Sequence, residues 1–308
     1  MKYEKWLYEW LSNYIKPTAK GKTYTRYSEI VEKHLIPRLG QYELEEISPL
    51  LLQTQVADFL ECGNLKTGGG LSTGSVNLII TVIQDSLQTA YRLGYVEHYV
   101  GDKIMRPKIQ EQPVTCFSLL KQKRIEQYAL NDKRPKMVGI ILCLYTGVRI
   151  GELLALEWSD IDFAKGEICV CKTCYDSKNS SGYYRAVNAP KTSSSNRIIP
   201  LPKRIIPLLR EIKKNSRSQY VIASGDKGIS IRSYQRSYEL MIKKLDIPYR
   251  SFHSLRHTFA TRALECGMDV KTLSEILGHK SPTVTLNRYV HSLMEHKRAM
   301  MDKVGKLL

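Results

Sequence analysis

The chain has 308 residues, with 47 Lys and Arg against 30 Asp and Glu, a net charge of +17 at pH 7 and a pI near 9.5. A hydrophobic fraction of 43% supplies cores for two folded domains, and the charge makes nucleic acid the first partner to consider, ahead of acidic lipid. No run approaches the about 18 apolar residues of a spanning helix, and the opening MKYEKWLYEWLSNYIK is too charged for a signal peptide, so we expect a cytoplasmic chain with no membrane partner.

Residues 1 to about 110 read as helical. Trp6, Leu7, Trp10, Leu11 and Tyr14 mark the apolar face of a first helix that Pro17 and Gly21 should end. A second runs from near Thr23 through Ile30 and Val31 to the break at Pro37–Gly40. A third covers about Ser48 to Cys62, with Ser48 and Pro49 as cap and first turn. The glycines of KTGGGLSTGS read as a flexible turn rather than a phosphate loop, because no strand precedes them and no Gly-Lys-Ser/Thr follows. A fourth helix spans Ser75 to about Leu93. The stretch GDKIMRPKIQEQPV then has two prolines, many charges and little periodicity, as expected of an interdomain linker.

Helices follow at about Ser118–Leu130 and Lys136–Tyr145. In LYTGVRIGELLALEW, Gly147 breaks the helix, Arg149 sits at the turn, and Glu152 to Leu156 restart a helix with Leu153, Leu154 and Leu156 as core candidates. From 163 to 201 the pattern changes: GEICVC, the polar stretch DSKNSSG and the run RIIPL read as a small β-sheet with long hairpin loops. Lys191 lies in the Ser-rich loop before the last strand. Cys169, Cys171 and Cys174 raise a zinc reading, but no partner pair with ligand spacing exists elsewhere, so no metal is expected. The seven cysteines, an odd number in a chain without an export signal, are expected as free thiols.

The stretch His253 to Tyr289 reads as three short helices. His253 and Arg256 are three apart, one turn above each other on a helix, and can reach the same small anion. Leu255, Phe259 and Ala263 supply the buried stripe without calling on them. His253 and His257 have the spacing of metal ligands, but the Glu of an HExxH helix is missing and Arg256 lies beside them, which argues against a cation. His279 follows Gly278, a helix-ending residue, and Ser281 with Pro282 caps a fresh helix that carries Tyr289. A phenol is a poor nucleophile at its ordinary pKa of about 10, yet two cations and an imidazole can hold a phosphodiester and assist loss of its proton.

The ordered set Arg149 in TGVRIGELLAL, Lys191 in PKTSSSNRIIPL, His253 and Arg256 in HSLRH, His279 in LGHKS and Tyr289 in TLNRYVH resembles the tyrosine recombinases of the phage-integrase family. The resemblance covers roughly residues 115–295. Upstream, WLYEWL, HLIPRLG, LSTGSVNLIITVI and YRLGYV resemble the helical core-binding domain of integrases from temperate phages and conjugative transposons. That similarity begins almost at Met1, so the small arm-binding domain often found in front is expected to be absent or truncated.

The resemblance implies a mainly α fold with a small β-sheet (α+β): a helical, SAM-like core-binding domain over 1–100, a linker over 101–114, and a catalytic domain with a C-terminal tail over 115–308. The two domains would clamp double-stranded DNA in a C shape, and a homotetramer would join two sites by exchanging tails, with DNA-bending or excision proteins as possible accessories. No metal or nucleotide cofactor is implied. Tyr289 would attack the scissile phosphate to give a 3′-phosphotyrosine, and Arg149 and Arg256 would neutralise the non-bridging oxygens. His253 would help remove the Tyr289 proton and His279 would donate to the phosphate. Lys191 would protonate the departing 5′-oxygen, while Glu152 would orient a neighbouring catalytic side chain. Lys172, at the other end of the long hairpin, competes with Lys191, which is favoured because it directly precedes RIIPL. Type IB topoisomerases share this catalytic set, and the first domain favours recombination. The alternatives are an inactive DNA-binding architectural protein of the same fold, a chromosome or plasmid resolvase, and a basic RNA-binding protein.

Overall fold

Tyr3, Trp6, Leu7 and Trp10 fall on one face of α1 (Tyr3–Trp10) and are all buried. Buried Tyr and Trp need partners for their polar tips. Here the Tyr3 hydroxyl meets Ser86 Oγ at 2.7 Å, and the Trp6 and Trp10 indoles donate to Ser86 O and Thr89 Oγ1 at 3.1 and 3.2 Å. Pro17 does not end this helix. A π-helical turn at Leu11–Ile15 carries it into α2 (Lys16–Thr18), and the N–H of Lys16, just before the proline, bonds to Leu11 O. The same device recurs after α3 (Gly21–Ile30): a π turn at Val31–Leu35, with Ile36 N–H on Val31 O, leads into α4 (Ile36–Leu39) across Pro37. A proline ring clashes with the carbonyl four residues back, and a wider turn relieves that clash without stopping the helix.

Helix α5 (Pro49–Cys62) starts on Ser48, whose hydroxyl accepts from Leu51 N–H, and α6 (Thr73–Arg92) starts on Ser72. Val76, Ile79, Ile80, Ile83, Leu87 and Ala90 give α6 the long apolar face against which the first helices pack. In this computed structural model the chain divides into two units, Met1–Gln112 and Pro113–Leu308. Residues 1–109, 115–132, 134–179, 182–188 and 196–289 are described, together with 298, 301, 302 and 305.

The second unit is built around α8 (Pro135–Thr146), which follows α7 (Leu119–Asn131). Met137 to Leu144 are buried on every side of α8, as expected of a central helix. At Gly139 a Cβ would stand 2.2 Å from the Tyr234 hydroxyl, so only glycine admits this contact. Gly147 ends α8 at φ +63°, and α9 (Ile150–Ala155) starts two residues later on Arg149.

The strands form separate antiparallel sheets. β1 (Ile161–Asp162), β2 (Glu167–Val170) and β5 (Arg197–Pro200) make one, in the order β1-β2-β5, with Ile168 opposite Ile199. Between β2 and β5 the chain inserts a hairpin of its own, β3 (Thr173–Asn179) and β4 (Gly182–Asn188), with Cys174 opposite Val187. Part of the polar stretch expected as loop is therefore strand. Tyr175, Cys174 and Val187 suit a half-buried pleated surface, and antiparallel pairing satisfies the backbone around the polar residues. The chain continues through α10 (Ile206–Lys214), the short pair β6 (Ala223–Ser224) and β7 (Lys227–Gly228), and α11 (Ile231–Lys244). It then forms α12 (His253–Glu265), α13 (Val270–Leu277) and α14 (Pro282–Tyr289). The fold is mainly α with small antiparallel sheets, and among the described residues no helix is long and apolar enough to cross a membrane.

Candidate active site

Two left-handed glycines set the frame. Gly147 turns the chain out of α8 so that its carbonyl accepts from Arg256 Nη1 at 2.7 Å; a Cβ here would lie 2.5 Å from the Phe259 ring and 2.8 Å from Leu277. Gly278, at φ +63°, ends α13, and the N–H groups of Gly278 and His279 bond back to Glu275 O and Ser274 O. That closure suits glycine at a helix C-terminus and aims the next side chain, His279, back at the helix end.

Arg256 is 1% exposed, deep in α12 rather than on a solvated face. Its Nη2 donates to Leu277 O at 2.7 Å and lies 3.0 Å from His279 Nε2. A guanidinium has only donors, so His279 Nε2 accepts, and the ring proton sits on Nδ1 facing Thr285 Oγ1 at 2.7 Å. Burial first, then the like charge of Arg149, pulls Arg256 down to about 9, which still leaves it charged at neutral pH.

Arg149 is less buried. Its backbone N–H donates to Glu152 Oε2 at 2.9 Å, its Nη1 to Glu152 Oε1 at 2.8 Å, and its Nη2 to Gly278 O at 3.1 Å. Glu152 also takes both terminal nitrogens of Arg197, Nη1 at 3.2 Å and Nη2 at 2.8 Å, while Arg197 Nε donates to Ile276 O. Burial pushes the Glu152 carboxyl up, but the hydrogen bonds and charge of Arg197, and then Arg149, outweigh it and hold the group below its usual range. One carboxylate thus joins the start of α9, the edge strand β5 and the end of α13.

Tyr289 is the last described residue of α14, with its ring buried among Ala260, Ala263, Leu264, Leu273 and Leu277. Its hydroxyl lies 2.7 Å from His257 Nδ1. His253 occupies the exposed start of α12, and its ring packs edge-to-face on His257 with centroids 4.5 Å apart. Arg149 is thus bonded to Glu152 and Arg256 to His279, the two pairs meeting at the backbone of Leu277 to His279, while His253 and His257 of α12 form a second set of contacts with Tyr289 of α14. Lys191 lies outside the described residues. Lys172 is held by Glu157 at 2.7 Å and Asp160 at 3.0 Å; burial lowers its pKa, but these two carboxylates raise it further, to a net value above the ordinary one.

Sequence reasoning missed two residues of this arrangement. Arg197 opens the RIIPL strand and was legible only as a strand-edge charge; its register opposite Val170 is what turns it toward Glu152. His257 was weighed solely as a metal ligand. Among the described residues no group of three or more His, Cys, Asp or Glu could hold a metal ion.

A cation-rich cluster beside a tyrosine suits the chemistry of a DNA strand transferase. The chain belongs to the phage integrase family of tyrosine recombinases: the Phage integrase family profile matches residues 119–296, and that of the phage integrase N-terminal SAM-like domain matches residues 2–60. It is 28% identical to a protein named tyrosine recombinase XerC-like of Caldanaerobacter subterraneus subsp. tengcongensis, over 98% of this chain and 82% of the relative. It is 25% identical to the ICEBs1 integrase of Bacillus subtilis, over 94% of this chain and 79% of that protein. The fold matches the Tn1549 transposon integrase, solved in complex with transposon right end DNA, with a TM-score of 0.82 at 22% identity over 99% of this chain and all of that one. It also matches a lambda integrase dimer bound to a COC′ core site, with a TM-score of 0.73 at 19% identity over 94% and 95% of the two chains.

Proposed function

We propose that this chain is a site-specific recombinase that integrates or excises a mobile element by cutting and rejoining duplex DNA through a 3′-phosphotyrosine at Tyr289. The observation that carries this reading is the approach of Arg149, Arg256 and His279 to the end of α13, with Tyr289 packed on the same α12 that carries Arg256. Arg149 and Arg256 neutralise the non-bridging oxygens as the phosphorane forms, each able to donate two hydrogen bonds in a planar fork. His279, which accepts from Arg256 in the resting arrangement, donates to the phosphate once Nε2 carries the proton. His253 assists proton loss from Tyr289 through the His257 ring packed against it, and Glu152 orients Arg149. Lys191 protonates the 5′-oxygen. The engagement of Lys172 by two carboxylates supports that choice.

The +17 charge and the DNA complexes of the structural neighbours support double-stranded DNA as the partner, and the lambda integrase tetramer on a Holliday junction supports assembly as a homotetramer. The tail after Tyr289 would couple the protomers. Its residues are outside the described set except 298, 301, 302 and 305, so deletion of 294–308 is the test: half-site binding survives and synapsis is lost. The function itself is tested by trapping on a nicked half-site taken from the junction of the chain's own element. A covalent protein–DNA adduct is expected, whereas reversible, salt-sensitive binding alone identifies a DNA-binding architectural protein.

A further inference from the structure

We propose that His257 is a catalytic residue of this site, the group that holds the Tyr289 phenol and takes its proton as the nucleophile attacks. The inference rests on the reading of Tyr289 as nucleophile given above. Its starting point is the 2.7 Å contact between His257 Nδ1 and Tyr289 Oη, which is within direct proton-transfer reach.

Three observations carry it further. Tyr289 is 2% exposed and its ring is packed in an apolar cluster, so bulk water is poorly placed to receive the phenolic proton and a side chain in contact must do so. His257 lies in the second turn of α12, next in sequence to Arg256, so the helix that fixes the buried guanidinium also fixes the imidazole. The ring is braced as well: His253 packs edge-to-face on one side at 4.5 Å and the Tyr289 ring lies at 5.6 Å. An imidazole held in this way is a preorganised acceptor.

The step balances. With Nε2 carrying the ring proton, Nδ1 accepts from the phenol; the O–H bond of Tyr289 breaks as Nδ1–H forms and Oη bonds to phosphorus. The P–O5′ bond breaks, and the 5′-oxygen leaves as a hydroxyl with the proton from Lys191. Religation returns the His257 proton to the departing phenolate. The rival reading of the same contact is a latch, in which His257 keeps the phenol away from the phosphate until DNA arrives.

The full-length protein is assayed on a nicked duplex carrying the junction sequence of its element, with covalent adduct formation as the readout. Both His257→Ala and His257→Asn should slow adduct formation by about 100-fold or more. Asn keeps an acceptor near the position of Nδ1 but cannot take a proton. Placing 2,3-difluorotyrosine at position 289, a more acidic phenol, should restore much of the rate to His257→Asn, while a 5′-bridging phosphorothiolate should not, because it relieves only the leaving group. Full activity in His257→Asn with loss in His257→Ala would reduce His257 to a positioning residue and overturn the proton transfer. Faster cleavage in His257→Ala would establish the latch instead. Unimpaired DNA binding and thermal melting separate chemistry from misfolding, and a variant that is slow because it is misfolded would not respond to the acidified phenol. Tyr289→Phe is run alongside: an adduct that persists there, or its absence from the wild type, overturns the underlying recombinase reading and not merely the part given to His257.

Discussion

Arg197 grips the Glu152 carboxylate with both terminal nitrogens, at 3.2 and 2.8 Å, and both side chains are only 6% exposed. The pair ties β5 to α9 and, through the Arg197 Nε bond to Ile276 O, to the end of α13. Because Glu152 also binds Arg149, the ion pair behind the site fixes the angle of the guanidinium in front of it.

Removing one partner should therefore cost stability as well as activity. Glu152→Ala leaves Arg197 buried with its main counter-charge gone, and a loss of about 3–5 kcal/mol is expected for breaking such a pair. Chemical denaturation of both proteins checks it. The pH dependence has a definite sign. Glu152 ionises more readily folded than unfolded, so its contribution is complete above the unfolded-chain value of about 4.3 and is lost as the pH falls through the lower folded value. The stability gap between wild type and Glu152→Gln should stay level from neutrality down to that region and shrink only below it.

Gly147→Ala should damage the site from a distance. The left-handed backbone alone costs a residue with a Cβ about 1–2 kcal/mol, and the new methyl would meet Phe259 at 2.5 Å and Leu277 at 2.8 Å. The Gly147 carbonyl holds Arg256, so cleavage should fall more than stability does. A variant as active and stable as the wild type would show that the turn has no such role.

DNA binding should be dominated by phosphate contacts. The logarithm of affinity is expected to fall linearly with the logarithm of salt, with a slope of about −0.9 per phosphate neutralised. A titration from low to physiological salt measures it, and a flat response would contradict a charge-driven interface.

How much of this was legible beforehand follows from the range of the interactions. Ser48, Ser118 and Ser281 were readable as helix starts because capping is local, and all three accept from a backbone N–H in the first turn of α5, α7 and α14 through their hydroxyls. Arg149, Arg256, His279 and Tyr289 were readable as a set, through their order and their likeness to a family. Their contacts were not: Arg256 on Gly147 O spans 109 positions and Arg149 on Gly278 O spans 129. The π turns before Pro17 and Pro37 escaped notice because a proline in sequence signals an end, and a one-residue widening of the helix leaves no pattern of its own. Arg197 and His257 were hidden for a similar reason. Each carries an ordinary charge or ring in sequence, and only strand register or the approach of a later helix gives it a partner.

The two lysines are separated by leaving-group chemistry. A 5′-alkoxide needs a proton to depart, whereas a 5′-thiolate, with a pKa near that of Cys at about 8.5, does not. Lys191→Ala should be severely slowed on ordinary DNA and close to wild type on the phosphorothiolate. Lys172→Ala, which removes the counter-charge of Glu157 and Asp160, should show no such selective rescue. Rescue of Lys172→Ala alone would move the acid to the other end of the hairpin.

The most direct test of the central claim is the identity of the residue that becomes attached to DNA. The adduct trapped on a nicked half-site is digested with protease and nuclease, and the nucleotide-bearing peptide is located by mass, in the wild type and in Tyr289→Phe. The chain has 19 tyrosines, so the position is informative. The account predicts one modified peptide, carrying the nucleotide on Tyr289, and no adduct in Tyr289→Phe despite intact folding and DNA binding; a nucleotide on any other residue, or an adduct that survives the substitution, would contradict it.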